Sequence, residues 1–202
     1  MILLDIGNSF IKVYKNGQIE IRDLNDFPKE PFYYINVNQK IEIPKNGIDV
    51  SKFFNFKTNY KNLGIDRIAA CYSIKEGVVL DAGSAITIDI MEKNFHKGGL
   101  ILPGLRAYQK SFATISPILD KKIDPIPLND LPNDTKKAMS FAVFGSIVSL
   151  VERIRDNKKI FLTGGDGEIF LRYFENAIYD KTLVFKGIIK AIKERDAHNS
   201  PA

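Results

Sequence analysis

Two short Asp-x-Gly turns are the places where this chain could hold phosphate groups. They are Asp5-Ile6-Gly7-Asn8-Ser9 and Asp81-Ala82-Gly83-Ser84-Ala85, and three apolar residues precede each of them. Glycine lets backbone N–H groups approach phosphate oxygens without a β-carbon in the way, and the neighbouring carboxylate can bind the Mg²⁺ that accompanies ATP. One such turn is more often a simple hairpin reversal, but two copies after similar strands favour a nucleotide site.

Two further segments carry groups that could complete a reaction. Gly64-Ile65-Asp66-Arg67 offers a carboxylate that can accept a proton from a hydroxyl group, and a guanidinium that can bind a carboxylate or a phosphate by two hydrogen bonds. Without other motifs, a helix-capping Asp66 and a solvated Arg67 would be the simpler interpretation. Thr163-Gly164-Gly165-Asp166 offers bare backbone for a base or ribose. The Walker and Rossmann glycine patterns are absent from the sequence.

The elements that must position these residues alternate between strands and helices. Apolar and β-branched runs predict strands near residues 2–4, 11–14, 19–21, 32–37, 78–80, 86–90, 96–104 and 160–162, and apolar spacing predicts helices near 66–72, from 105, over 135–156 and over 184–194. Residues 48–60 show no clear pattern, and prolines predict an irregular connection over 120–133. The segment 78–90 repeats the pattern of 2–14, which indicates a duplicated strand-turn-strand unit.

The segment 135–156 gives the strongest helical signal of the sequence. Its apolar residues cover nearly the whole circumference, so we expect burial on most sides, either in the core or against a partner subunit. Small residues at Ser140, Gly145, Ser146 and Ser149 would permit close packing. Either explanation fits this pattern.

Composition excludes several classes of protein. The 202 residues, 45% of them hydrophobic and 26% charged, suffice for one large domain or two small lobes. No apolar run could span a bilayer and the N-terminus lacks signal-peptide features, so we expect a cytoplasmic protein without a membrane partner. A lone Cys71 excludes an internal disulfide, and the two histidines lack zinc-ligand spacing. The net charge of +5 forms no basic stripe, so we expect no nucleic-acid partner.

In combination, the motifs resemble type III pantothenate kinase, a family of the actin-like, sugar-kinase and Hsp70 superfamily. The resemblance rests on six motifs in the family's order, namely Asp5 to Ser9, Gly64 to Arg67, Asp81 to Asp89, Gly98 to Gly104, Asp134 to Met139 and Thr163 to Asp166. It implies an α/β protein with the actin-like ATPase fold, in which two ribonuclease-H-like lobes, 1–76 and 77–202, have mixed sheets flanked by helices. It also implies phosphorylation of pantothenate by ATP, the first step of coenzyme A synthesis.

The resemblance further implies a role for each matching residue. ATP would be bound by Asp5, Ile6, Gly7, Asn8, Ser9, Phe10, Ile11, Lys12, Ser84, Gly164 and Gly165, and pantothenate by Tyr60, Gly64, Ile65, Asp66, Arg67 and Thr135. Asp66 would be the catalytic base, Asp5 would lie near the Mg²⁺ of ATP, and Asp81 would ligate a monovalent cation, K⁺ or NH₄⁺. Thr135 would act across a homodimer, unless it simply caps its helix.

The sequence also departs from the family pattern. Ser9 and Ser84 replace the more usual threonine and keep the hydroxyl group. Tyr60 lies nearer to Gly64 than the family's pocket tyrosine does, and the proline between them is missing. Two other functions stay open: a kinase for another small acceptor, and a nucleotide-binding regulatory or accessory protein of this fold without turnover. The three intact motif carboxylates favour catalysis.

Overall fold

Strands and helices follow one another largely in the predicted order. The computed structural model describes residues 1–199. Its strands are β1 (Ile2–Ile6), β2 (Ile11–Lys15), β3 (Gln18–Arg22), β4 (Phe32–Asn36), β5 (Gly47–Asp49), β6 (Lys57–Thr58), β7 (Gly77–Ala82), β8 (Ala85–Glu92), β9 (Phe95–Pro103), β10 (Ile160–Thr163) and β11 (Ala177–Tyr179). Its helices are α1 (Ile65–Tyr72), α2 (Leu105–Ile115), α3 (Thr135–Ile154) and α4 (Leu183–Asn199). Three short 3₁₀ turns, Ser51–Phe53, Pro117–Leu119 and Gly167–Tyr173, complete the described elements.

The strands form two mixed sheets. The first has the order β3-β2-β1-β4-β5 and the second the order β11-β10-β7-β8-β9-β6. In the first sheet β1 is antiparallel to β2 and parallel to β4, and in the second β10 is parallel to both β7 and β11. The predicted α/β class, with mixed sheets flanked by helices, is therefore confirmed.

The chain divides into two compact units that are discontinuous in sequence. The first unit contains residues 1–75, 91–98 and the chain from residue 182, and the second contains 76–90 and 99–181. The predicted lobe boundary at 76 and 77 lies beside the first crossing between units. Helix α4, which we expected in the second lobe, groups with the first unit because it packs on α1 and β1. The last three residues of the predicted lobe 77–202 lie outside the described residues.

In the first unit, helices α1 and α4 pack against each other and against the first sheet. All five residues of β1 are buried, which is the pattern of a strand covered on both faces. The rings of Tyr14 and Phe185 stack 5.1 Å apart. A β-carbon on Gly187 would lie only 1.8 Å from the carbonyl oxygen of Ala69, so the two helices touch at a point that only glycine allows.

The second unit has its core on one side of α3. Met139, Val143, Phe144, Ile147 and Val151 of this helix are buried in a cluster with strands β7, β8 and β10. Small residues of the same helix, Ala138, Ala142, Ser146 and Ser149, are exposed. The core therefore accounts for one side of α3 only, and burial of the other side against a partner subunit stays a prediction.

None of the helices among residues 1–199 is both long and apolar enough to cross a membrane.

Candidate active site

The first Asp-x-Gly turn is an open loop of four residues, 7–10, between β1 and β2. The N–H of Gly7 donates to the carbonyl of Phe10 at 3.1 Å, and the side chains of Asn8 and Ser9 are exposed. Asp5 is only 6% exposed, and it lies opposite Lys12 in the strand register. The Lys12 Nζ donates to the Asp5 Oδ2 at 3.3 Å. The loop thus combines a buried carboxylate, a nearby ammonium and a solvent-accessible tip.

Asn38 supports this loop from the end of β4, a role that the sequence motifs did not indicate. The residue is buried, and its Nδ2 donates weakly to the carbonyl of Gly7 at 3.4 Å. Its Oδ1 accepts from the Lys40 N–H at 3.0 Å, which fixes the amide orientation. Strands β1 and β4 are parallel, so their carboxyl ends meet at one edge of the sheet. In the sequence, Asn38 directly follows the predicted strand 32–37, and a polar residue in that place was the signal that could have indicated this role.

Asp66 and Arg67 lie in the first turn of α1. A β-carbon on Gly64 would lie 2.6 Å from the Asp66 Oδ1, so glycine at that position leaves room for the carboxylate. The Oδ1 of Asp66 accepts from the backbone N–H of Arg67 at 2.8 Å. Arg67 is only 6% exposed. The helix start therefore holds the carboxylate in a fixed orientation beside a buried guanidinium.

The electrostatics of Asp66 differ from those of an ordinary helix cap. Burial raises the pKa of the Asp66 carboxyl, and the negative charge of Asp5 raises it further, against the lowering effects of the Arg67 N–H and guanidinium. Asp134, which caps α3, shows the opposite behaviour: the hydrogen bond from the Lys137 N–H lowers its pKa. A raised pKa makes a carboxylate a better proton acceptor near neutral pH. Asp66 is also not the N-cap of α1, because that position is occupied by Gly64.

Tyr60 packs on the guanidinium of Arg67. The Arg67 Cζ lies 4.9 Å from the centre of the Tyr60 ring, within the range of a cation–π contact. The Arg67 Nη1 also lies 3.4 Å from the phenol oxygen, longer than an ordinary hydrogen bond. The predicted acceptor residues Tyr60, Asp66 and Arg67 thus come together in the first unit, in spite of the missing proline.

The second Asp-x-Gly turn is tight, with only Gly83 and Ser84 between β7 and β8. The Gly83 N–H donates to the carbonyl of Ala85 at 2.9 Å. Asp81 is half-buried and Ser84 is exposed. This turn is two residues shorter than the loop formed by residues 7–10.

Two glycines from other elements enclose this tight turn. A β-carbon on Gly104 would lie 2.4 Å from the carbonyl oxygen of Gly83, and one on Gly164 would lie 2.3 Å from the Asp81 Oδ1. Gly164 has a φ of +84°, which L-residues rarely adopt. The N–H of Asp166 then donates to the carbonyl of Ala82 at 2.9 Å. The Gly-Gly segment therefore packs closely against the Asp81 turn through Gly164 and restricts its conformation.

Gly165 is placed differently from its neighbour. It is exposed, and no atom lies within 4 Å of a β-carbon built on it. The carbonyl of Gly164, in contrast, accepts from the Tyr179 hydroxyl at 3.1 Å. Both glycines were predicted to contact the nucleotide, but their surroundings differ. Gly164 packs against the tight turn, whereas the backbone of Gly165 is accessible to a ligand.

Thr135 is the exposed first residue of α3. The side chain of the preceding Asp134 accepts from the Lys137 N–H at 2.9 Å and so caps the helix. The alternative that Thr135 itself is the cap is therefore wrong. Its contact with an acceptor stays a prediction.

The chain matches known proteins along nearly its whole length. The family model for type III pantothenate kinase matches residues 35–157. A type III pantothenate kinase of Campylobacter hominis is 43% identical over 96% of this chain and 99% of its own length. A solved structure described as a Baf family transcriptional activator from Campylobacter jejuni has a TM-score of 0.90 and 42% identity, covering 98% of this chain and 100% of that one.

A more distant structure bears on the fold alone. It belongs to a protein of Sinorhizobium meliloti named as a 2-dehydro-3-deoxygalactonokinase, with a TM-score of 0.58, 9% identity and coverage of 96% of both chains. The two mixed sheets with flanking helices are therefore shared with a sugar-kinase fold.

Proposed function

Because the chain belongs to the type III pantothenate kinase family, we propose that Asp66 is the general base when the γ-phosphoryl group of ATP is transferred to pantothenate. Family membership gives the enzyme class and the acceptor: the protein is a kinase that phosphorylates pantothenate in coenzyme A biosynthesis. The predicted family, fold and activity are confirmed. The roles of individual residues are our proposal.

The observation that carries the proposal is the half-buried carboxylate of Asp66 at the start of α1, which the Arg67 N–H holds beside a buried guanidinium and whose pKa burial raises. In the reaction, the primary hydroxyl oxygen of pantothenate attacks the γ-phosphorus, and its proton passes to the Asp66 carboxylate. The bond between the γ-phosphorus and the bridging oxygen breaks, and ADP leaves. Because phosphoryl transfer depends mainly on positioning and charge stabilisation, a fixed base close to the acceptor suffices as the protein's chemical group.

Arg67 is the proposed anchor for the carboxylate of pantothenate. A guanidinium can bind a carboxylate by two parallel hydrogen bonds, which fixes the distance of the acceptor from the neighbouring Asp66. Tyr60 shields one face of the Arg67 guanidinium and provides an aromatic surface for the acceptor. Gly64 and Ile65 line the same helix start. These contacts would give the specificity for an anionic acceptor.

The open loop 7–10, together with Asp5 and Lys12 of the flanking strands, is the proposed site for Mg²⁺ and the phosphates of ATP. Mg²⁺ is usually bound by one or two carboxylates together with substrate phosphates, and Asp5 offers such an oxygen at the edge of a loop with a solvent-accessible tip. Lys12, whose Nζ already lies beside Asp5, could contact a phosphate oxygen. Mg²⁺, when bound, neutralises charge on the phosphates. Residues Asn8 and Ser9 supply exposed polar groups.

The tight turn at Asp81 is the proposed site for a monovalent cation, K⁺ or NH₄⁺. Its half-buried carboxylate and the surrounding backbone carbonyls form an oxygen donor set, which suits a hard cation. Ser84 and Gly165, both exposed in the second unit, are the proposed further nucleotide contacts.

A homodimer is proposed from the exposed face of α3. Thr135, Ala138, Ala142, Ser146 and Ser149 are exposed and recur at intervals of three and four residues, so they share one side of the helix. Small residues allow two helices to approach closely, and a second copy of the same helix is the complementary surface. Thr135 at the end of this face could then reach the partner's acceptor.

Sedimentation of the purified protein tests the dimer. Wild type should sediment at twice the 22.8 kDa of one chain. Ala142→Lys should give monomers and raise the KM for pantothenate, whereas Glu168→Lys, also at an exposed position, should leave the dimer intact. A monomeric wild type would refute the proposal.

We place the reaction in the cytoplasm. ATP is available there, and a chain with a single cysteine, Cys71, forms no internal disulfide.

Asp66→Asn tests the general base. Pantothenate-dependent release of ADP should fall by about a hundred- to ten-thousandfold in kcat, since a positioned base contributes that much. The melting temperature near neutral pH should not fall, because the raised pKa means that folding disfavours the charged carboxylate. A kcat close to that of wild type would exclude Asp66 as the base.

A regulatory function without turnover is the second candidate, since the 42% identical structure from Campylobacter jejuni is described as a transcriptional activator. Calorimetric titration with ATP and an assay of ADP release separate the two. Nucleotide binding without ADP release in the presence of pantothenate, K⁺ and Mg²⁺ would favour the regulator. ADP release with other alcohols but not with pantothenate would indicate a different acceptor.

A further inference from the structure

A fully buried histidine lies behind the proposed acceptor-binding residues, where no sequence motif indicated it. The ring of His96 lies 5.7 Å from that of Phe56 and 6.0 Å from that of Tyr60, the latter edge to face. Phe56 and Tyr60 lie two residues before and two residues after Thr58 of the two-residue strand β6. Alternate side chains of a strand point to the same side, and the side chains of all three residues lie against His96.

Thr58 fixes this segment on the histidine. The two-residue strand β6 is parallel to β9, with Thr58 directly opposite His96. The Oγ1 of Thr58 lies 2.8 Å from the His96 Nδ1, a short hydrogen-bond distance. The same Oγ1 accepts from the backbone N–H of Tyr60 at 2.9 Å. One hydroxyl therefore joins the histidine ring to the backbone of the tyrosine.

Tyr60 in turn restricts the orientation of the Arg67 side chain. The imidazole supports the edge of the tyrosine ring, and the guanidinium lies 4.9 Å from the ring centre. A long side chain such as arginine has many rotamers, and fixing one of them costs conformational entropy. A rigid ring beneath the guanidinium removes alternatives before the acceptor arrives, which favours binding.

We propose that His96 and Thr58 are positioning residues for the acceptor: they hold the Tyr60 ring, which orients Arg67 toward the carboxylate of pantothenate. Neither of them touches the substrate. The inference rests on the proposed role of Arg67 and adds two residues to it. The two-residue strand β6 is thus an anchor for the acceptor site, although it contributes little to the sheet.

Thr58→Val tests this directly, because valine matches threonine in shape and lacks the hydroxyl. Loss of one buried hydrogen bond should raise the KM for pantothenate by about three- to tenfold. The KM for ATP and kcat should stay within about twofold of wild type, because Thr58 acts on the acceptor side only. Thr58→Ser, which keeps the hydroxyl, should bring the KM for pantothenate back to within about twofold of wild type.

A double-mutant cycle shows whether the effect passes through the tyrosine. Tyr60→Leu removes the ring from beneath Arg67 and should raise the KM for pantothenate by itself. If Thr58 acts through Tyr60, adding Thr58→Val to Tyr60→Leu should have no further effect. If the KM for pantothenate in the double variant instead rises by the product of the two single-variant increases, the proposal is overturned. His96→Phe, which keeps a ring without the Nδ1, should resemble Thr58→Val in its kinetics.

The outcomes separate this inference from the proposed function. A wild type without pantothenate-dependent ADP release would overturn the function and, with it, the acceptor role of this cluster. An active wild type with an unchanged KM in Thr58→Val would overturn the positioning role alone. So would equal increases in the KM values for ATP and pantothenate accompanied by a lower melting temperature, since that pattern indicates general loosening of the structure.

Discussion

The two Asp-x-Gly turns begin from nearly the same sequence and end as different structures. In both, an apolar strand runs into the aspartate, and residues 78–90 overlie 2–14 one for one. Strand β2 nevertheless starts at Ile11, whereas β8 starts at Ala85, two residues earlier in the aligned pattern. The first connection therefore has four residues and the second has two.

The difference follows from what surrounds each turn. The first has exposed residues at its tip and a part-buried ion pair between Asp5 and Lys12 at its base. The second is enclosed by the backbone at Gly104 and Gly164. An open loop can follow an extended phosphate chain, and a rigid turn can hold oxygens at fixed distances from a small cation. The repeated sequence motif thus does not by itself determine the structure of the turn that it forms.

The largest expected effect tests how tightly each turn is held. Gly164→Ala should lower the free energy of unfolding by about 3 kcal/mol or more, because the β-carbon meets backbone and the φ of +84° is unfavourable for alanine. Gly7→Ala, whose β-carbon would lie 3.2 Å from the Phe10 carbonyl oxygen, should cost about 1 kcal/mol or less. Urea denaturation measures both.

Gly165→Ala is the matched control, because nothing lies within 4 Å of its β-carbon. It should change stability by less than about 0.5 kcal/mol. Equal losses for Gly7→Ala and Gly164→Ala would show that the two turns are equally constrained, and the comparison would fail.

The next-largest expected effect distinguishes the ions proposed for the two turns, Mg²⁺ at Asp5 and a monovalent cation at Asp81. Asp5→Asn should lower kcat/KM for Mg·ATP by about a hundredfold, since a carboxylate that holds a catalytic metal is worth several kcal/mol. Asp81→Asn should instead abolish stimulation by K⁺ and leave the rate without K⁺ unchanged. Steady-state assays over a grid of Mg²⁺ and K⁺ concentrations measure both. An interchange of the two phenotypes would reverse the assignment.

The smallest effect concerns pH. Wild-type kcat/KM for pantothenate should fall as the pH drops through the raised pKa of Asp66, because only the deprotonated carboxylate accepts a proton. The charge of Asp5 contributes to that raised pKa, so Asp5→Asn should move the acidic limb to lower pH. Asp81→Asn should leave the limb in place. Carboxyl ¹³C shifts of Asp66 in an NMR titration provide the second measurement, and an unmoved pKa in Asp5→Asn would contradict the coupling.

The local parts of this comparison could be predicted from sequence. Apolar runs before Asp5 and Asp81 gave the strands, and the acidic residue in Gly64-Ile65-Asp66-Arg67 gave the start of α1. Local residue patterns determine such features. The length of each connection was beyond prediction, because Gly104 and Gly164 close the second turn from distant parts of the chain.

Residues 48–60, which precede the proposed acceptor-binding residues, also could not be predicted from their local sequence. Strand β6 has only two residues and forms because β9 lies beside it, so its own sequence carries no strand pattern. The partnership of Thr58 with His96 depends on that pairing. Asp134 caps α3 and lies one residue before Thr135, the predicted acceptor contact. This cap is a local feature of the sequence, but the family motifs did not indicate it.

The contact of Gly187 with Ala69 has a consequence for synthesis of the protein. Helix α1, which carries Asp66, obtains its packing partner only when α4 has left the ribosome, more than a hundred residues after α1 itself. At about 5–20 residues per second, that delay is roughly 5–20 seconds. The second unit is complete before the first, although the first begins the chain. A nascent chain therefore completes the packing around Asp66, the proposed general base, last.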